Sequence, residues 1–284
     1  MHNKNIFDQL DQLASFLGRH RRVLVLTGAG ISTASGIPDY RSRDGVRRGK
    51  APVQGPEFRK SAAVRRRYWA RSMVGYPTLA RAAPNNAHQA IAHLQADGIV
   101  GALITQNVDG LHQRAGSAGV LELHGNIHLV VCLDCQASFP RAFVQGLLEE
   151  LNPTVTGALA TAAPDGDAHL EPDALATFHV PDCLHCGGTL KPDVVFFGDG
   201  VPSARNVAAQ ARMDAADALL VVGSSLMVFS GFRFCRMAAA AGKPIAAINL
   251  GVTRADDLLT LKIDDSAERL LPALRDSLAD RGAR

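Results

Sequence analysis

An amide, a carboxylate and an imidazole follow one another closely in the middle of this chain. The stretch TQNVDGLHQRAGSAGVLELHGNIHLVVCLDC contains Asn107 and Asp109 two positions apart, and then His124 directly before Gly125. Side chains of these types can bind a polar ligand and move a proton, and they follow an apolar run that is typical of a buried strand. The spacing therefore predicts a reaction site.

Two Cys-x-x-Cys pairs predict a metal site. Cys132 and Cys135 end the same stretch, and 47 residues separate them from Cys183 and Cys186. Each pair supplies two thiolates from one tight turn, and two such turns complete the tetrahedron that suits Zn²⁺. Four sulfur ligands leave no open coordination position, so we expect one structural zinc ion. In a reducing compartment this pattern favours a metal over two disulfides, and Cys235, in the apolar run FRFCRMAAAA, is typical of a core thiol.

Length and composition restrict the class of protein. The chain has 284 residues, of which 47% are hydrophobic and 20% are charged, as is ordinary for a folded globular protein. No apolar run approaches the roughly 18 residues that a membrane span requires. The first residues include Asp8 and Asp11 and lack a basic segment followed by an apolar one. We therefore expect no targeting signal and a cytoplasmic location.

The charge is unevenly distributed. Between Arg41 and Arg71 there are eleven lysine and arginine residues against two acidic ones, whereas the net charge of the whole chain is only +3. One interpretation is a solvated basic surface. The other is a surface that attracts an anion, such as cofactor phosphates, an acidic substrate or an acidic partner. Aromatic residues are not interleaved with the basic ones, so we expect no nucleic-acid partner.

Short apolar runs alternate with stretches of helical periodicity. Nearly continuous apolar strands that alternate with helices predict an α/β fold, in which a Rossmann-like parallel sheet carries helices on both faces. Asn85 or Asn86 would cap the first of the helices, and Gly98 would end it. The predicted strands are residues 23–30, 99–107, 217–225 and 243–251, and the predicted helices are residues 85–98, 231–242 and 264–282.

Two stretches interrupt this alternation. Residues 45–83 are basic and helix-like, and residues 128–188 contain the four paired cysteines and the loop-like sequence NPTVTGALATAAPDGDAHLEP. We interpret them as a helical insertion and a zinc-binding insertion that together form a smaller domain. The Rossmann-like domain then consists of residues 1–44, 84–127 and 189–284.

The glycine turn after the first strand predicts a nucleotide site. Gly28, Ala29 and Gly30 form a G-x-G whose backbone N–H groups could hold a phosphate at the start of the next helix. The third glycine of the dinucleotide fingerprint is replaced by Thr33, so a plain strand–helix turn remains an alternative. Ligands of parallel sheets lie across the carboxyl ends of several strands. Three further strand ends suit such a ligand, namely Gln106-Asn107, Gly223-Ser224-Ser225 and Asn249-Leu250-Gly251.

Several longer motifs occur together in a fixed order. They are GAGISTASGIPDYRS, TQNVDGLH, LHGN, the two Cys-x-x-Cys pairs, KPDVVFFGD, GSSLMVFS and INLG. In this order they resemble the sirtuin family of NAD-dependent protein lysine deacylases, from about residue 20 to the C-terminus. The segments PDYRS, RYWAR, APDGD and VVFFGD are similar to the class II branch of that family, and within it to the mitochondrial type related to lipoamidases.

The resemblance implies a reaction and its catalytic residues. A sirtuin moves the acyl group of an acylated lysine to the ribose of NAD and releases nicotinamide. By motif position His124 is the base that activates a ribose hydroxyl, and imidazole suits this role because its usual pKa lies near neutral pH. Asn107 and Asp109 match the pair that binds the nicotinamide carboxamide. An Asx cap of the following helix is the alternative for them.

The resemblance also implies which residues bind NAD. Arg41 matches a phosphate contact, for which its planar fork is suited. Ser224 and Asn249 match contacts to phosphate and to the adenosine ribose, and Ala267 would offer only its backbone to the adenine. The complete expected set is Gly28, Ala29, Gly30, Ser32, Ile37, Pro38, Asp39, Tyr40, Arg41, Gln106, Asn107, Asp109, Gly223, Ser224, Ser225, Asn249, Leu250, Gly251 and Ala267.

By the same resemblance, the substrate peptide lies as an added strand between residues 197–199 and 226–228. Val195 is either a substrate contact or simple core. Tyr68 and Arg71, three positions apart on a predicted helix, resemble the Tyr-x-x-Arg with which some sirtuins hold an acidic acyl group. Alternatively, the two residues have this spacing by chance, because the stretch is rich in arginine. If the pair does bind the acyl group, we expect weak deacetylation and better removal of longer or dicarboxylic acyl groups. The expected substrate contacts are Tyr68, Arg71, Val195, Phe197, Gly198, Leu226 and Val228.

Three functions are therefore considered. The first is an NAD-dependent deacylase that uses NAD and one zinc ion and acts on acylated lysine side chains of proteins, with neither membrane nor nucleic acid as a partner. The second is a protein mono-ADP-ribosyltransferase that uses the same site. The third is a zinc-stabilised NAD sensor or scaffold without catalysis. The presence of Asn107, Asp109 and His124 together argues against the third and favours the first.

Overall fold

The computed structural model describes residues 6–48, 52–155 and 177–282, which form two β-sheets and the helices around them. In chain order the strands are β1 (Val23–Thr27), β2 (Val100–Thr105), β3 (Leu121–Glu122), β4 (Gly125–Cys132), β5 (Ser138–Pro140), β6 (Leu190–Val194), β7 (Ala218–Val222), β8 (Ile245–Ile248) and β9 (Leu261–Ile263). The helices are α1 (Ile6–Gly18), α2 (Gly55–Lys60), α3 (Ala62–Arg81), α4 (Asn86–Ala96), α5 (Leu111–Arg114), α6 (Arg141–Leu151), α7 (Ser203–Ala215), α8 (Phe229–Ala240) and α9 (Ala267–Gly282).

The larger sheet is parallel throughout and has the order β3-β2-β1-β7-β8-β9. From β1 the chain builds outward to β2 and β3, and it later returns to the other side of β1 with β7. Strand order thus reverses between β1 and β7, and such a reversal opens a crevice at the carboxyl ends of the strands. The predicted parallel sheet is confirmed, and the crevice is where a ligand is expected.

Helices cover both faces of this sheet, as the sequence predicted. Val23 and Val25 face α1, α4 and α9, whereas Leu24 and Leu26 face α7 and α8. Successive side chains of a strand point to opposite faces, so an apolar residue at every position requires cover on both sides. The side chain of Asn85 caps α4 by accepting hydrogen bonds from the N–H groups of Ala87 (3.0 Å) and His88 (3.3 Å).

The smaller sheet is antiparallel, with the order β5-β4-β6, and it packs against helices α2, α3 and α6. Phe58 and Trp69 of the helices share one core with Val130 of β4 and Leu148 of α6. Side chains from both predicted insertions therefore pack together. The bounds of the two predicted domains stay a prediction.

Some of the motif residues lie outside the described ranges. The APDGD segment lies at residues 163–167, and most of the loop-like sequence around it, as well as Lys50 of the basic stretch, lies outside them too. Among the helices of the described ranges, none combines the length and the apolar character that a bilayer crossing requires.

Candidate active site

The turn after β1 packs directly against the end of β7. The N–H groups of Gly28 and Gly30 donate to two carbonyl oxygens at the end of β7, at 3.1 and 2.8 Å. Two short 3₁₀-helices, Ala29–Ile31 and Thr33–Ser35, follow the turn in place of the α-helix that a phosphate-binding turn would enter. These two N–H groups therefore join β1 and β7 at the switch point, and phosphate binding by the turn stays a prediction.

Adding a methyl group to Gly30 should destabilise the fold. A Cβ at this position would lie 2.9 Å from the Cα and carbonyl oxygen of Gly223, so β1 and β7 would have to separate at their ends. Overpacking against rigid backbone typically costs about 1–3 kcal/mol. We expect Gly30→Ala to lower the free energy of unfolding by that amount in urea titrations. Gly18→Ala is the control, because no atom lies within 4 Å of its Cβ position; an equal loss in both variants would contradict the packing argument.

Asn107 and Asp109 follow β2 and are joined through one serine. The Asn107 Nδ2 donates to Ser32 Oγ and to the carbonyl of Gly28, both at 3.1 Å. Ser32 Oγ donates to one oxygen of the buried Asp109 carboxylate at 2.7 Å. The other carboxylate oxygen accepts the N–H of Leu111 at the start of α5 (3.0 Å), so the Asx interaction considered as an alternative is present. The hydrogen bonds fix both side chains next to the glycine turn.

Two buried histidines lie behind this network. His88 Nε2 lies 3.4 Å from Ser32 Oγ, the rings of His88 and His112 are 4.8 Å apart, and His112 Nε2 lies 2.9 Å from the Thr27 hydroxyl. Burial lowers the pKa of His88 to about 4, although the Asp109 carboxylate opposes this, and burial with the neighbouring His88 lowers the pKa of His112 to about 3. Both rings are therefore neutral at pH 7. Sequence reasoning did not select these histidines, whose only signal was a polar residue within an apolar helical pattern.

The buried histidines should make the protein less stable in mild acid. Because the folded-state pKa values lie below the unfolded value of about 6.5, the unfolded chain binds more protons between about pH 6.5 and 4. Stability is complete above pH 6.5 and falls as the pH decreases, by about 2 kcal/mol per buried histidine at pH 5. Urea titrations from pH 7.5 to 5 measure this loss. His112→Asn should reduce the slope by about one proton, and His93→Asn on the exposed side of α4 is the matched control; an unchanged slope in His112→Asn would refute the assignment.

His124 is held between two partners that define its protonation state. Its Nδ1 lies 2.9 Å from the carbonyl oxygen of Gln106, which can only accept, so Nδ1 carries the proton and Nε2 carries the lone pair. Nε2 lies 2.7 Å from the hydroxyl of Ser230, at the start of α8. Burial lowers the pKa of His124 to about 4, and the charges of Arg233 and Arg205 lower it further against the effect of the Gln106 carbonyl. The imidazole is thus a neutral base at pH 7.

Ser230 and Arg233 were not selected from the sequence. Ser230 is the last residue of the GSSLMVFS motif, so that motif offered a signal for it. Arg233 carried no such signal, because its position depends on which face of α8 turns towards His124 and Gln106.

These residues line one cavity of about 840 Å³ at the switch point, within the usual range of about 300–1,000 Å³ for ligand sites. His124, Asn107 and Asp109 lie together in it. Of the residues predicted to bind NAD, Gly251 and Ala267 are not among those that line it: Gly251 packs beside Arg43, and Ala267 is the buried first residue of α9. The predicted residues that do line it are Gly28, Ala29, Gly30, Ser32, Ile37, Pro38, Asp39, Tyr40, Arg41, Gln106, Asn107, Asp109, Gly223, Ser224, Ser225, Asn249 and Leu250.

Part of the basic stretch also reaches this cavity. Arg41, Arg43, Arg47 and Arg48 line it, so at least these four are not merely a solvated surface. Arg41 donates to the carbonyl of Gly45 at 2.8 Å, and Arg48 forms an ion pair with an aspartate of the same loop at 2.7 Å. The positive charge at the cavity suits an anionic ligand.

The two expected edges of a peptide site face the same cavity. Phe197 and Val228 are 37% and 38% exposed there, and Val195, Gly198 and Leu226 also line it. The carbonyl of Phe197 already accepts the N–H at the start of α2 (2.8 Å), so this edge is partly paired with the helical insertion.

Tyr68 and Arg71 do not line the cavity. Tyr68 is buried in the smaller core, where its ring contacts Phe58, Trp69 and Phe196 at centroid distances of 5.0–5.6 Å. Of these aromatic residues, Phe196 lines the cavity, so Tyr68 lies one layer behind its wall.

The four paired cysteines form a compact cluster in the smaller part of the molecule. Their Sγ atoms all lie within 4.8 Å of one another, with Cys132–Cys186 at 3.6 Å and Cys135–Cys183 at 3.7 Å. A tetrahedral zinc with Zn–S bonds of about 2.3 Å requires S···S distances of about 3.8 Å, so the cluster fits that ion. None of the four lines the cavity, which agrees with a structural role. His128 instead bonds to the Tyr76 hydroxyl (3.1 Å) and stays outside the cluster.

A parallel sheet whose strand order reverses at a cavity lined by arginines and His124, joined to a cluster of four cysteines, is typical of a nucleotide-binding α/β protein with a metal-stabilised smaller part. The sequence profile of the Sir2 family matches residues 28–230. NAD-dependent protein deacetylase 3 of Pseudomonas syringae pv. tomato is 50% identical over 275 residues, which cover 96% of this chain and 98% of the relative. An NAD-dependent protein deacetylase of Xanthomonas axonopodis pv. citri is 53% identical over 262 residues, 92% of this chain and 89% of the relative.

Solved structures agree with these sequence matches. A structure described as a Sir2–p53 peptide–NAD⁺ complex superimposes with a TM-score of 0.74 at 29% identity, over 97% of this chain and 99% of that one. Another, described as addressing the mechanism and regulation of Sir2 enzymes, has a TM-score of 0.76 at 33% identity, over 96% and 99%. The chain belongs to the Sir2 family, as its motifs predicted.

Proposed function

We propose that this protein is an NAD-dependent protein lysine deacylase that releases nicotinamide and O-acyl-ADP-ribose. The observation that carries the proposal is a neutral imidazole base, His124, in one cavity with Asn107, Asp109 and the glycine turn. Its bacterial relatives at 50–53% identity are named NAD-dependent protein deacetylases, and a peptide and NAD⁺ are named for one structural neighbour.

The residues of the cavity suit NAD by their chemistry. When bound, NAD supplies the ribose carbon that bonds the acyl oxygen while nicotinamide leaves. Asn107 and Asp109 orient the carboxamide, because an amide and a carboxylate together match its acceptor and donor groups. Arg41 and Ser224 hold phosphate, and Asn249 holds the adenosine ribose. His124 receives a ribose hydroxyl proton at Nε2, where the Ser230 hydroxyl now lies.

The further assignments belong to the same proposal. The substrate lysine lies between residues 197–199 and 226–228, and Cys132, Cys135, Cys183 and Cys186 hold one structural zinc. The segments PDYRS, RYWAR and VVFFGD support the class II branch. A thiolate-bound zinc suits a reducing compartment, which supports a location in the bacterial cytoplasm.

Product analysis tests the reaction. The protein is incubated with NAD and an acetyl-lysine peptide, and then with peptides that carry longer acyl groups, and the products are identified by mass spectrometry. Free lysine peptide together with O-acyl-ADP-ribose is the expected outcome. Protein that gains ADP-ribose instead would identify a mono-ADP-ribosyltransferase, and absence of nicotinamide release with every peptide would refute the proposed function.

A further inference from the structure

Three residues in the middle of β4 leave the register of the smaller sheet. The pairing with β6 passes from Asn126 directly to Val130 while β6 advances by one residue, so residues 127–129 are extra on β4. Extra residues in one strand form a bulge, which redirects side chains and is frequent beside active sites. His128 is the middle residue of this bulge, and its imidazole is directed at the loop that follows β2.

The bulge is bonded to the loop that carries Asp109. The N–H of Ile127 donates to the carbonyl of Val108 at 2.9 Å, and His128 Nε2 lies 3.0 Å from the carbonyl oxygen of Asp109. A carbonyl oxygen can only accept, so Nε2 carries the proton of this hydrogen bond. Directly afterwards the chain turns through Gly110, whose φ is +68°. The imidazole therefore holds the peptide group between Asp109 and this turn.

A tyrosine of α3 fixes the ring of His128. The hydroxyl of Tyr76 lies 3.1 Å from His128 Nδ1, and in the neutral ring it donates to the lone pair of that atom. Burial raises the pKa of Tyr76 against the effect of the Arg141 charge, so the hydroxyl keeps the proton that it donates. The guanidinium of Arg141, on α6, lies over the Tyr76 ring at 4.3 Å from its centre. A chain of hydrogen bonds therefore runs from α3 through β4 to Asp109.

The side chain and the backbone of Asp109 are held by different parts of the molecule. Its carboxylate accepts a hydrogen bond from Ser32 Oγ, which follows β1 of the larger sheet, whereas its carbonyl accepts one from His128 of the smaller sheet. Binding groups must be held within about 0.5 Å of the productive geometry by neighbours whose own side chains are fixed. Loss of the imidazole would loosen the backbone at residues 108–110 and move the carboxylate relative to Asn107.

We propose that Tyr76 and His128 are positioning residues, which hold Asp109 where it binds the nicotinamide end of the cofactor. The inference rests on the proposed function, which assigns Asp109 to the carboxamide. The two residues then set the affinity for the nicotinamide group and leave the affinity for the ADP-ribose part unchanged. Ser224 and Asn249, which we assign to a phosphate and to the adenosine ribose, follow the strands β7 and β8 instead.

Two ligands, one with nicotinamide and one without it, isolate this effect. Carba-NAD has a carbon in place of the ring oxygen of the nicotinamide ribose and resists cleavage, whereas ADP-ribose lacks nicotinamide. Both are titrated calorimetrically in the presence of an acetyl-lysine peptide. His128→Leu should weaken the binding of carba-NAD by about 2–10-fold, the usual size of one hydrogen bond, and leave ADP-ribose as in the wild type. His93→Leu, at an exposed position of α4, is the matched control and should change neither affinity.

A double variant tests whether the two residues act in series. Tyr76→Phe removes the hydroxyl and keeps the ring beside Arg141, so it should weaken carba-NAD by a smaller factor than His128→Leu. In the His128→Leu background it should have no further effect, because the hydroxyl acts through the imidazole. The inference is overturned if the ratio of the two dissociation constants in His128→Leu equals the wild-type ratio. It is likewise overturned if the effects of the two substitutions multiply.

The hydrogen bonds of His128 can also be measured without any ligand. The ¹⁵N spectrum of the histidine rings reports which nitrogen carries a proton, and the His128 signals are those that His128→Leu removes. At pH 7.5 the proton should be on Nε2, and Tyr76→Phe should shift the Nδ1 resonance; a proton on Nδ1 alone would refute the inference. If no peptide supports nicotinamide release, the deacylase proposal fails, while the spectrum and the titrations still decide the roles of Tyr76 and His128.

Discussion

Replacing His124 with alanine should lower kcat/KM for deacylation by about 10²–10⁴-fold, the usual contribution of a positioned general base. The reason is the fixed tautomer: with Nδ1 bonded to the Gln106 carbonyl, Nε2 has the lone pair that can take a proton inside the cavity. Steady-state kinetics with an acylated peptide measures the loss. His93→Ala, on the exposed side of α4, is the matched control, and a His124→Ala variant with unchanged kcat/KM would remove His124 from the reaction.

The pH profile gives an independent check on the same residue. A base must be neutral to act, and burial places the pKa of His124 at about 4 in the ligand-free protein. The profile of kcat/KM, which reports the free enzyme, should therefore be flat on its acid side from pH 8 to 6. A histidine with its usual pKa of about 6.5 would instead halve the rate near that pH. A half-maximal rate at pH 6.5 would contradict the buried environment.

Loss of the metal should have the second large effect, on folding and on catalysis together. Structural zinc in small knuckles supplies about 10–16 kcal/mol of apparent binding free energy, which becomes folding free energy. Cys132 of β4 pairs in register with Leu190 of β6, so the cluster closes the end of the smaller sheet. The other end of the β4–β6 pair holds the backbone of His124, whose carbonyl accepts the N–H of Val195 at 2.8 Å.

Cys135→Ala should therefore reduce bound zinc from one ion per chain to far less, lower the melting temperature and abolish activity. Zinc is measured by elemental analysis of the purified protein, and melting is followed by circular dichroism. Cys235→Ala is the control, since this buried thiol lies in the core of the larger part, away from the cluster. A Cys135→Ala protein that retained one zinc and full stability would contradict the four-cysteine site.

Local sequence patterns predicted the strands, the helices and the metal cluster. They did not predict which distant segments of the chain contact one another. The apolar runs around Val25 and Leu220 had to be covered on both faces, and the Cys-x-x-Cys pairs had few alternatives, so sheet and metal cluster could be inferred. The hydrogen bonds of the Gly28 and Gly30 N–H groups could not be predicted, because they depend on how closely the end of β7 approaches the turn after β1. The contact of Ser230 with His124 could not be predicted either, because it depends on where α8 packs.

The expected contacts to the acyl group show the same limit. Tyr68 and Arg71 were selected because they share a helix face, and the spacing is correct for α3. The spacing did not specify which side of that face meets the cavity, and the aromatic side chains Phe58 and Phe196 bury Tyr68 instead.

The reversal of strand order at β1 also determines when the site can form during synthesis. Arg22, directly before β1, pairs with Asp217, directly before β7 and 195 residues later. At about 5–20 residues per second, a ribosome needs about 10–40 s to make that interval. Throughout this time β1 lacks its second neighbour, so the growing chain presents an unpaired strand edge, which is a template for pairing with another chain. The cavity is completed only when the last third of the protein emerges.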